Sequence, residues 1–150
     1  MLEAIRLARE NVLSGKGGPF GAVVVKDGKI ISATANSVTS TNDPTAHAEV
    51  NAIREACKVL GTYQLEGCEI YSSCEPCPMC LGAIYWSRPA KLYFAAGKDD
   101  AAASGFDDSF IYQEIGEEYA KRQIPAIQIC RDEALEAFKI WNTSDLKIKY

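Results

Sequence analysis

The chain has 150 residues, of which 47% are hydrophobic, and a formal net charge of -4. This length suits one domain, and the apolar content is enough for a core that needs no disulfide framework. A net negative charge is the wrong sign for a surface that binds phosphate backbones, so the composition argues against a nucleic-acid partner. No apolar run approaches a membrane span, and we expect a soluble, cytoplasmic protein with reduced cysteines and no membrane partner.

The first predicted elements are a helix and a hairpin. Apolar residues recur at helical spacing along the N-terminal segment, which indicates an amphipathic helix and not a signal peptide: Leu2, Ile5, Ala8 and Val12. Two β-branched runs follow, at 20–26 and 29–35, joined by Asp27 and Gly28. An Asp-Gly pair between two such runs is a strong signal for an antiparallel hairpin.

Helices and strands alternate through the rest of the chain. Turn residues at Asp43 and Pro44 begin a long helix that ends on Gly61. Further strands are predicted at 68–73, 90–96 and 124–130, and further helices at 77–86, 107–123 and 131–141. The pattern predicts a single α/β domain over residues 1–150, with a five-stranded mixed sheet opened by a β-hairpin and helices on both faces.

Three closely spaced cysteines, Cys74, Cys77 and Cys80, raise the question of a disulfide, a redox pair or a metal site. Pro76 disfavours helical backbone at the residue before it, so Cys74 belongs to the extended lead-in. Cys77 and Cys80 then follow on the helix, three residues apart and on one face. Cys77 is expected in the first turn, where unpaired amides favour the thiolate that binds metal.

His47, the chain's single histidine, lies at the start of the preceding long helix and completes a set of three ligands. Three protein ligands with one open position are typical of catalytic zinc. Glu49 points away from His47 on a regular helix, so it is a poor second ligand but a candidate for proton transfer. Two alternatives remain open: a thioredoxin-like redox pair, and a structural zinc site with Cys74 or Cys68 as fourth ligand.

The sequences "HAE" at 47–49 and "PCPMC" at 76–80 are similar to the signature of zinc-dependent nucleobase and nucleoside deaminases, in the cytidine/deoxycytidylate deaminase superfamily. The order of hairpin, HAE helix, strand, PCxxC helix and strand resembles that family over essentially the whole chain. The resemblance implies its three-layer cytidine-deaminase-like fold. The longer stretches "GGPFGAVVVKDG", "TNDPTAHAEV", "SCEPCPMCLGAIYW" and "GFDDSFIY" most resemble the bacterial guanine deaminases of this family.

The resemblance also implies roles for individual residues. It implies one zinc ion per chain, held by His47, Cys77 and Cys80, with water as fourth ligand. Glu49 would be the proton shuttle, and Asp108 would contact the amino edge of a purine. The implied substrate contacts are Asn36, the backbone of Ala48, Phe20, Trp86 and Tyr150.

Simpler structural roles compete with several of these assignments. Asn36 ends a predicted strand, and Asp107 or Asp108 is placed to cap the next helix. Phe20 and Trp86 are equally suited to a core. Tyr150, at the chain end, is in a position that commonly frays.

The implied function is hydrolytic deamination of guanine to xanthine and ammonia. Alternatives within the family are another free base or nucleoside, such as cytosine or a triazine, and adenosine in tRNA. A non-enzymatic zinc-binding fold is the alternative from another class. The resemblance further implies a homodimer in which the C-terminal segment is exchanged, so that a tail at about 142–150 closes the site of the partner.

Overall fold

The computed structural model describes residues 1–150, which form two compact units, Met1–Asp108 and Ser109–Tyr150. The first unit holds four strands and five helices, in this chain order: α1 Leu2–Leu13, β1 Gly21–Lys26, β2 Lys29–Ala35, α2 Val38–Thr41, α3 Ala48–Leu60, β3 Cys68–Cys74, α4 Pro78–Ser87, β4 Lys91–Ala96 and α5 Lys98–Ala103. None of the helices has the length and apolar content that crossing a membrane requires.

The four strands form one mixed sheet in the order β2-β1-β3-β4. β1 runs antiparallel to both β2 and β3, and β4 runs parallel to β3. The β1–β2 hairpin turns at Asp27 and Gly28, whose φ angles are 51° and 73°. Positive φ at both turn positions matches the twist of the flanking strands. The predicted hairpin is confirmed.

Helices cover both faces of this sheet, as predicted. On one face, buried side chains of β1 and β3 pack with α3 and α4 in a core that contains Ala22, Val24, Ala48, Ala52, Ala56, Leu65, Cys68, Ile70 and Ile84. On the other face, α1 approaches β1 so closely that a Cβ atom at Gly21 would collide with the backbone oxygen of Ala4. This contact explains why a residue without a side chain begins β1.

The second unit contains α6 Ser109–Gly116, a 3-10 turn Tyr119–Lys121 and α7 Arg131–Thr143. The prediction of a fifth strand at 124–130 is wrong, because these residues form no ladder and the sheet has four strands. A β-rich segment becomes a strand only where a neighbouring strand accepts and donates its backbone hydrogen bonds. The predicted helix at 107–123 is also shorter and is interrupted after Gly116.

A candidate zinc and nucleobase site

Three side chains that the sequence singled out come together as a metal-binding group. His47 Nδ1 lies 3.5 Å from Cys77 Sγ and 3.5 Å from Cys80 Sγ. The ligand atoms of the three residues all lie within 4.8 Å of one another. One imidazole nitrogen and two sulfurs are a ligand set that zinc uses in catalytic sites, with a fourth position for water or substrate. The donor set therefore fits zinc.

His47 and Cys77 each occupy the N-cap of a helix, α3 and α4 respectively, with extended backbone at both. This corrects the expectation that Cys77 lies inside the first turn, and it places His47 at the start of α3 as expected. Pro78 explains the position of Cys77, since a residue before proline is disfavoured in helical conformation. Two helix N-termini thus meet at the cluster, and their positive ends favour thiolate there.

The pKa values of the three residues in this cluster shift in different directions. Hydrogen bonding with Cys80, and to a lesser extent with His47, lowers the pKa of Cys77 to about 4. The hydrogen bond with Cys77 raises the pKa of His47, against the effect of its partial burial. The same hydrogen bonding between the two cysteines raises the pKa of Cys80. Binding a cation would favour thiolate at both sulfurs.

Cys74 and Cys68 lie outside the group of three. The thiol of Cys74 donates to the backbone oxygen of Gly97 at 3.7 Å. Cys68 is fully buried in the core beneath α3. The geometry therefore gives no support to a four-ligand structural zinc site that uses either cysteine.

Glu49 lies beside the cluster and is almost fully buried, at 4% exposure. Ser72 Oγ donates to Oε1 at 2.9 Å, and Cys80 Sγ donates to Oε2 at 3.4 Å. Burial raises the pKa of Glu49 above its ordinary value. A carboxyl group with a raised pKa, next to an open ligand position, is suited to taking up and releasing a proton.

A cavity of about 560 Å³ opens beside the cluster. This volume lies in the range of pockets that bind small molecules. Six of the residues singled out in the sequence line it: Phe20, Asn36, His47, Glu49, Cys77 and Asp108. Two members of the metal-binding group, the candidate shuttle and three candidate substrate contacts therefore share one cavity.

Asn36 is held in this cavity by its own side-chain oxygen. Oδ1 accepts from the backbone amides of Gly18 and Val38, at 3.4 and 3.2 Å. With Oδ1 engaged by the backbone, the amide nitrogen is the group that can donate to a ligand. Asp108 also lines the cavity, and partial burial, followed by the negative charge of Cys77, raises its pKa.

The remaining candidate residues are placed differently. Ala48 is fully buried, and its backbone oxygen accepts from Thr34 Oγ1 at 2.8 Å. Trp86 lies in the last turn of α4, is 66% exposed and does not line the cavity. Tyr150 belongs to the second unit and is 67% exposed.

Sequence reasoning missed three residues that shape the site. Phe106 meets Phe20 edge to face, with ring centroids 4.9 Å apart, and both rings line the cavity. Asn11 and Ser72 are buried polar residues that bond to site residues. Asn11 in α1 and Ser72 in β3 are polar residues at positions where the periodicity of the element predicts a small or apolar residue, so the sequence did carry a signal for them. Phe106 lies in a loop, where no periodicity could have indicated it.

Residues 1–96 match a family model described as "Cytidine and deoxycytidylate deaminase zinc-binding region". The chain belongs to this family of zinc-binding deaminases. Among its relatives is the guanine deaminase of Bacillus subtilis (strain 168), which is 58% identical over 147 residues, 98% of this chain and 94% of the relative. The X-ray structure of guanine deaminase from Bacillus subtilis covers 99% of this chain and 95% of its own, with a TM-score of 0.97.

Similarity to other members of the family is more limited. The tRNA-specific adenosine deaminase of Aquifex aeolicus (strain VF5) is 55% identical over 78 residues, which is 52% of each chain. A structure of guanine deaminase from Nitrosomonas europaea is 39% identical, with a TM-score of 0.66 over 70% of this chain and 61% of its own. The match to the Aquifex aeolicus protein thus extends over about half of this chain.

Proposed function

We propose that this chain catalyses the hydrolytic deamination of guanine to xanthine and ammonia. The observation that carries the proposal is the 58% identity to a guanine deaminase over 98% of the chain. That match extends past residue 96, where the general family model ends, and so includes the segment with Asp108. Its extent supports residues 1–150 as one functional deaminase domain, and it favours guanine over cytosine, triazines and tRNA adenosine.

His47, Cys77 and Cys80 would hold one zinc ion, which supplies a water molecule of lowered pKa in the fourth ligand position. Glu49 would take a proton from water and deliver it to the ring nitrogen beside the amino-bearing carbon. Once the water oxygen has bonded to the amino-bearing carbon, a second transfer through Glu49 would move its remaining proton to the amino group, and the C–N bond would break to release ammonia. The buried setting of Glu49 supports both transfers, because a raised pKa favours picking up the proton.

The cavity residues would position the base by hydrogen bonds and apolar contact. Asn36 would donate through its amide nitrogen, and the Asp108 carboxylate would accept from the amino edge of guanine. Phe20 would pack against the ring, and the backbone of Ala48 in the first turn of α3 would offer a further polar contact. A site that pairs specific polar groups rejects bases that leave those groups unpaired.

The active form in this proposal is a homodimer that exchanges its C-terminal segment. β4 is an edge strand with exposed Tyr93 and Phe94, and residues 124–130 expose Ile124, Ile127 and Ile129. Exposed edges and exposed apolar segments are usually covered in the native assembly. Trp86 and Tyr150, both exposed in the single chain, would reach a site only in such a dimer. We place the enzyme in the cytoplasm, where the cluster thiols stay reduced.

Ammonia release from a panel of aminated compounds tests the function. The panel contains guanine, guanosine, cytosine, an aminotriazine and a tRNA anticodon stem-loop with adenosine. We expect the highest kcat/KM on guanine, and Glu49→Gln protein purified identically serves as the control for contaminating deaminases. Faster turnover of another substrate would reject guanine, and full zinc content without any turnover would favour a non-enzymatic zinc fold.

A further inference from the structure

Ser72 is a polar residue at a core position of β3. The alternating residues Cys68, Ile70, Ser72 and Cys74 all face inwards, and Ser72 is 2% exposed. Its neighbours on the adjacent strands are Ala22 and Phe94. A hydroxyl buried among such residues destabilises the fold unless it makes a hydrogen bond. The bond that it makes therefore indicates its role.

That bond goes to Glu49, whose Oε1 accepts from Ser72 Oγ at 2.9 Å. The other side-chain donor to the carboxylate is the Cys80 thiol, on Oε2 at 3.4 Å. That contact is the longer of the two, and Cys80 also lies 3.5 Å from His47 Nδ1 as a member of the candidate metal-binding group, so its sulfur is engaged elsewhere. Ser72 is then the side-chain donor on which the orientation of Glu49 depends.

The orientation needs such a donor because the terminal torsion of a glutamate has a broad, roughly two-fold preference. We propose that Ser72 is a positioning residue for the proton shuttle: its hydroxyl holds Oε1 of Glu49 and leaves Oε2 as the oxygen that carries the proton. This inference rests on the deaminase function proposed above. It concerns the chemical step and not the affinity for the base, since Ser72 does not line the cavity.

The variant Ser72→Ala removes the donor, and Ser32→Ala is its matched control. Ser32 lies on β2, is 4% exposed, and donates to the backbone oxygen of Ala52 at 2.8 Å. Each variant loses one buried hydroxyl and one hydrogen bond, but only the first loses contact with Glu49. Kinetics are measured on the compound that the wild type turns over fastest, together with zinc content and melting temperature.

We expect Ser72→Ala to lower kcat roughly tenfold or more, because a misplaced catalytic group slows the chemical step. In Ser72→Ala, KM should stay within about twofold of the wild-type value and the zinc content should stay complete. Ser32→Ala should keep kcat within about twofold of the wild-type value, although its melting temperature changes by a similar amount. Equal kcat in the two alanine variants would overturn the inference.

Two further variants separate positioning from general destabilisation. Ser72→Thr keeps the hydroxyl and should recover most of kcat, whereas a folded Thr variant as slow as Ser72→Ala would overturn the role of the hydroxyl. If Ser72→Ala does not fold, Ser72→Cys replaces it, and its weaker donor should reduce kcat by at least about threefold. Wild-type kcat in Ser72→Cys would count against the proposal.

A double-variant cycle tests whether Ser72 acts through Glu49. In a Glu49→Gln background, adding Ser72→Ala should cause no further loss of the residual rate, because the group that Ser72 positions is already disabled. A further loss as large as in the wild-type background would show an independent effect and reject the proposal. Failure of guanine turnover in the wild type rejects the proposed substrate, whereas an active wild type with an unimpaired Ser72→Ala rejects only the positioning role.

Discussion

Asn11 Nδ2 donates to the backbone oxygen of Asn36, 25 residues further along the chain, at 2.8 Å. The same nitrogen donates to the backbone oxygen of Gly18 at 2.9 Å. Both bonds are made from the inner face of α1 and join the glycine-rich turn before β1 to the end of β2. Asn36, which lines the cavity, is thereby fixed by a helix that contributes no chemistry of its own.

Gly17→Ala tests this arrangement. A Cβ atom there would collide with the backbone oxygen of Asn36 and approach Asn11 Nδ2 to 2.8 Å, so Asn36 must shift. We expect KM for guanine to rise at least ~10-fold with unchanged zinc content, since the proposed hydrogen bond from Asn36 to the base would be displaced. Gly116→Ala is the control, because its Cβ meets nothing within 4 Å and KM should stay within about twofold. Wild-type KM in Gly17→Ala would argue against Asn36 as a substrate contact.

Metal content provides the next test. Wild-type protein should carry about one zinc per chain, and His47→Ala or Cys77→Ala should lower that content sharply, since each removes one of three ligands. Cys130→Ala is the matched control, because Cys130 is exposed and outside the ligand group. Metal analysis of dialysed protein gives the result. Full zinc in both ligand variants would show that the metal, if present, is bound elsewhere.

The parts of this fold that sequence predicts well are those with a local cause. Asp27 and Gly28 fix the hairpin through their positive φ, and Gly61 ends α3 in the left-handed conformation, with a φ of 65°. Cys77 and Cys80 were also predictable, because "PCPMC" places both at one helix start, whereas His47 lies 30 residues from Cys77 along the chain and was assigned as the chain's single histidine. Geometry within one turn of helix needs no knowledge of distant contacts.

The parts that sequence did not predict depend on partners elsewhere in the fold. Residues 124–130 have the composition of a strand, yet they form none, because composition does not supply a pairing partner. Asn11 and Ser72 acquire their roles only through Asn36 and Glu49, which lie 25 and 23 residues away along the chain. The sequence pattern identifies both as polar residues at buried positions, but it does not identify the residue to which each one hydrogen-bonds.

Glu49→Gln should retain fold and zinc but lose at least ~10²-fold in kcat, because it removes proton transfer without removing a ligand. Glu55→Gln on the same helix is the control, since Glu55 is exposed and does not line the cavity. Its kcat should match the wild type. Near-normal turnover by Glu49→Gln, with zinc content confirmed, would reject Glu49 as the shuttle.

Asp108→Ala should discriminate among substrates. A carboxylate that accepts from the amino edge of guanine matters most for the base that makes this bond, so kcat/KM should fall at least ~10-fold more on guanine than on a poor substrate. Asp99→Ala, at an exposed position of α5, should leave that ratio unchanged. Asp108 also immediately precedes α6, and equal losses on all substrates with a lower melting temperature would favour a purely capping role.

The proposed exchange of the C-terminal segment would make activity depend on two chains, which a mixed dimer can test. One chain carries Glu49→Gln with an intact tail, and the other keeps Glu49 but lacks residues 147–150, including Tyr150. Each homodimer should be inactive, the first for want of the shuttle and the second for want of a closed pocket that holds the base and excludes water. In a heterodimer with exchange, the truncated chain has an intact shuttle and receives the tail of its partner.

About half of the sites in each such heterodimer should therefore be active, since the two sites of a symmetric dimer are assembled separately. If each tail instead closes the site of its own chain, every site lacks either Glu49 or Tyr150, and mixing restores nothing. Heterodimers are isolated with two different affinity tags, and ammonia release is measured per heterodimer. No recovery of activity in isolated heterodimers would reject the exchange. Full activity of the truncated homodimer would show that the tail closes no site, because Tyr150 would then be dispensable in either arrangement.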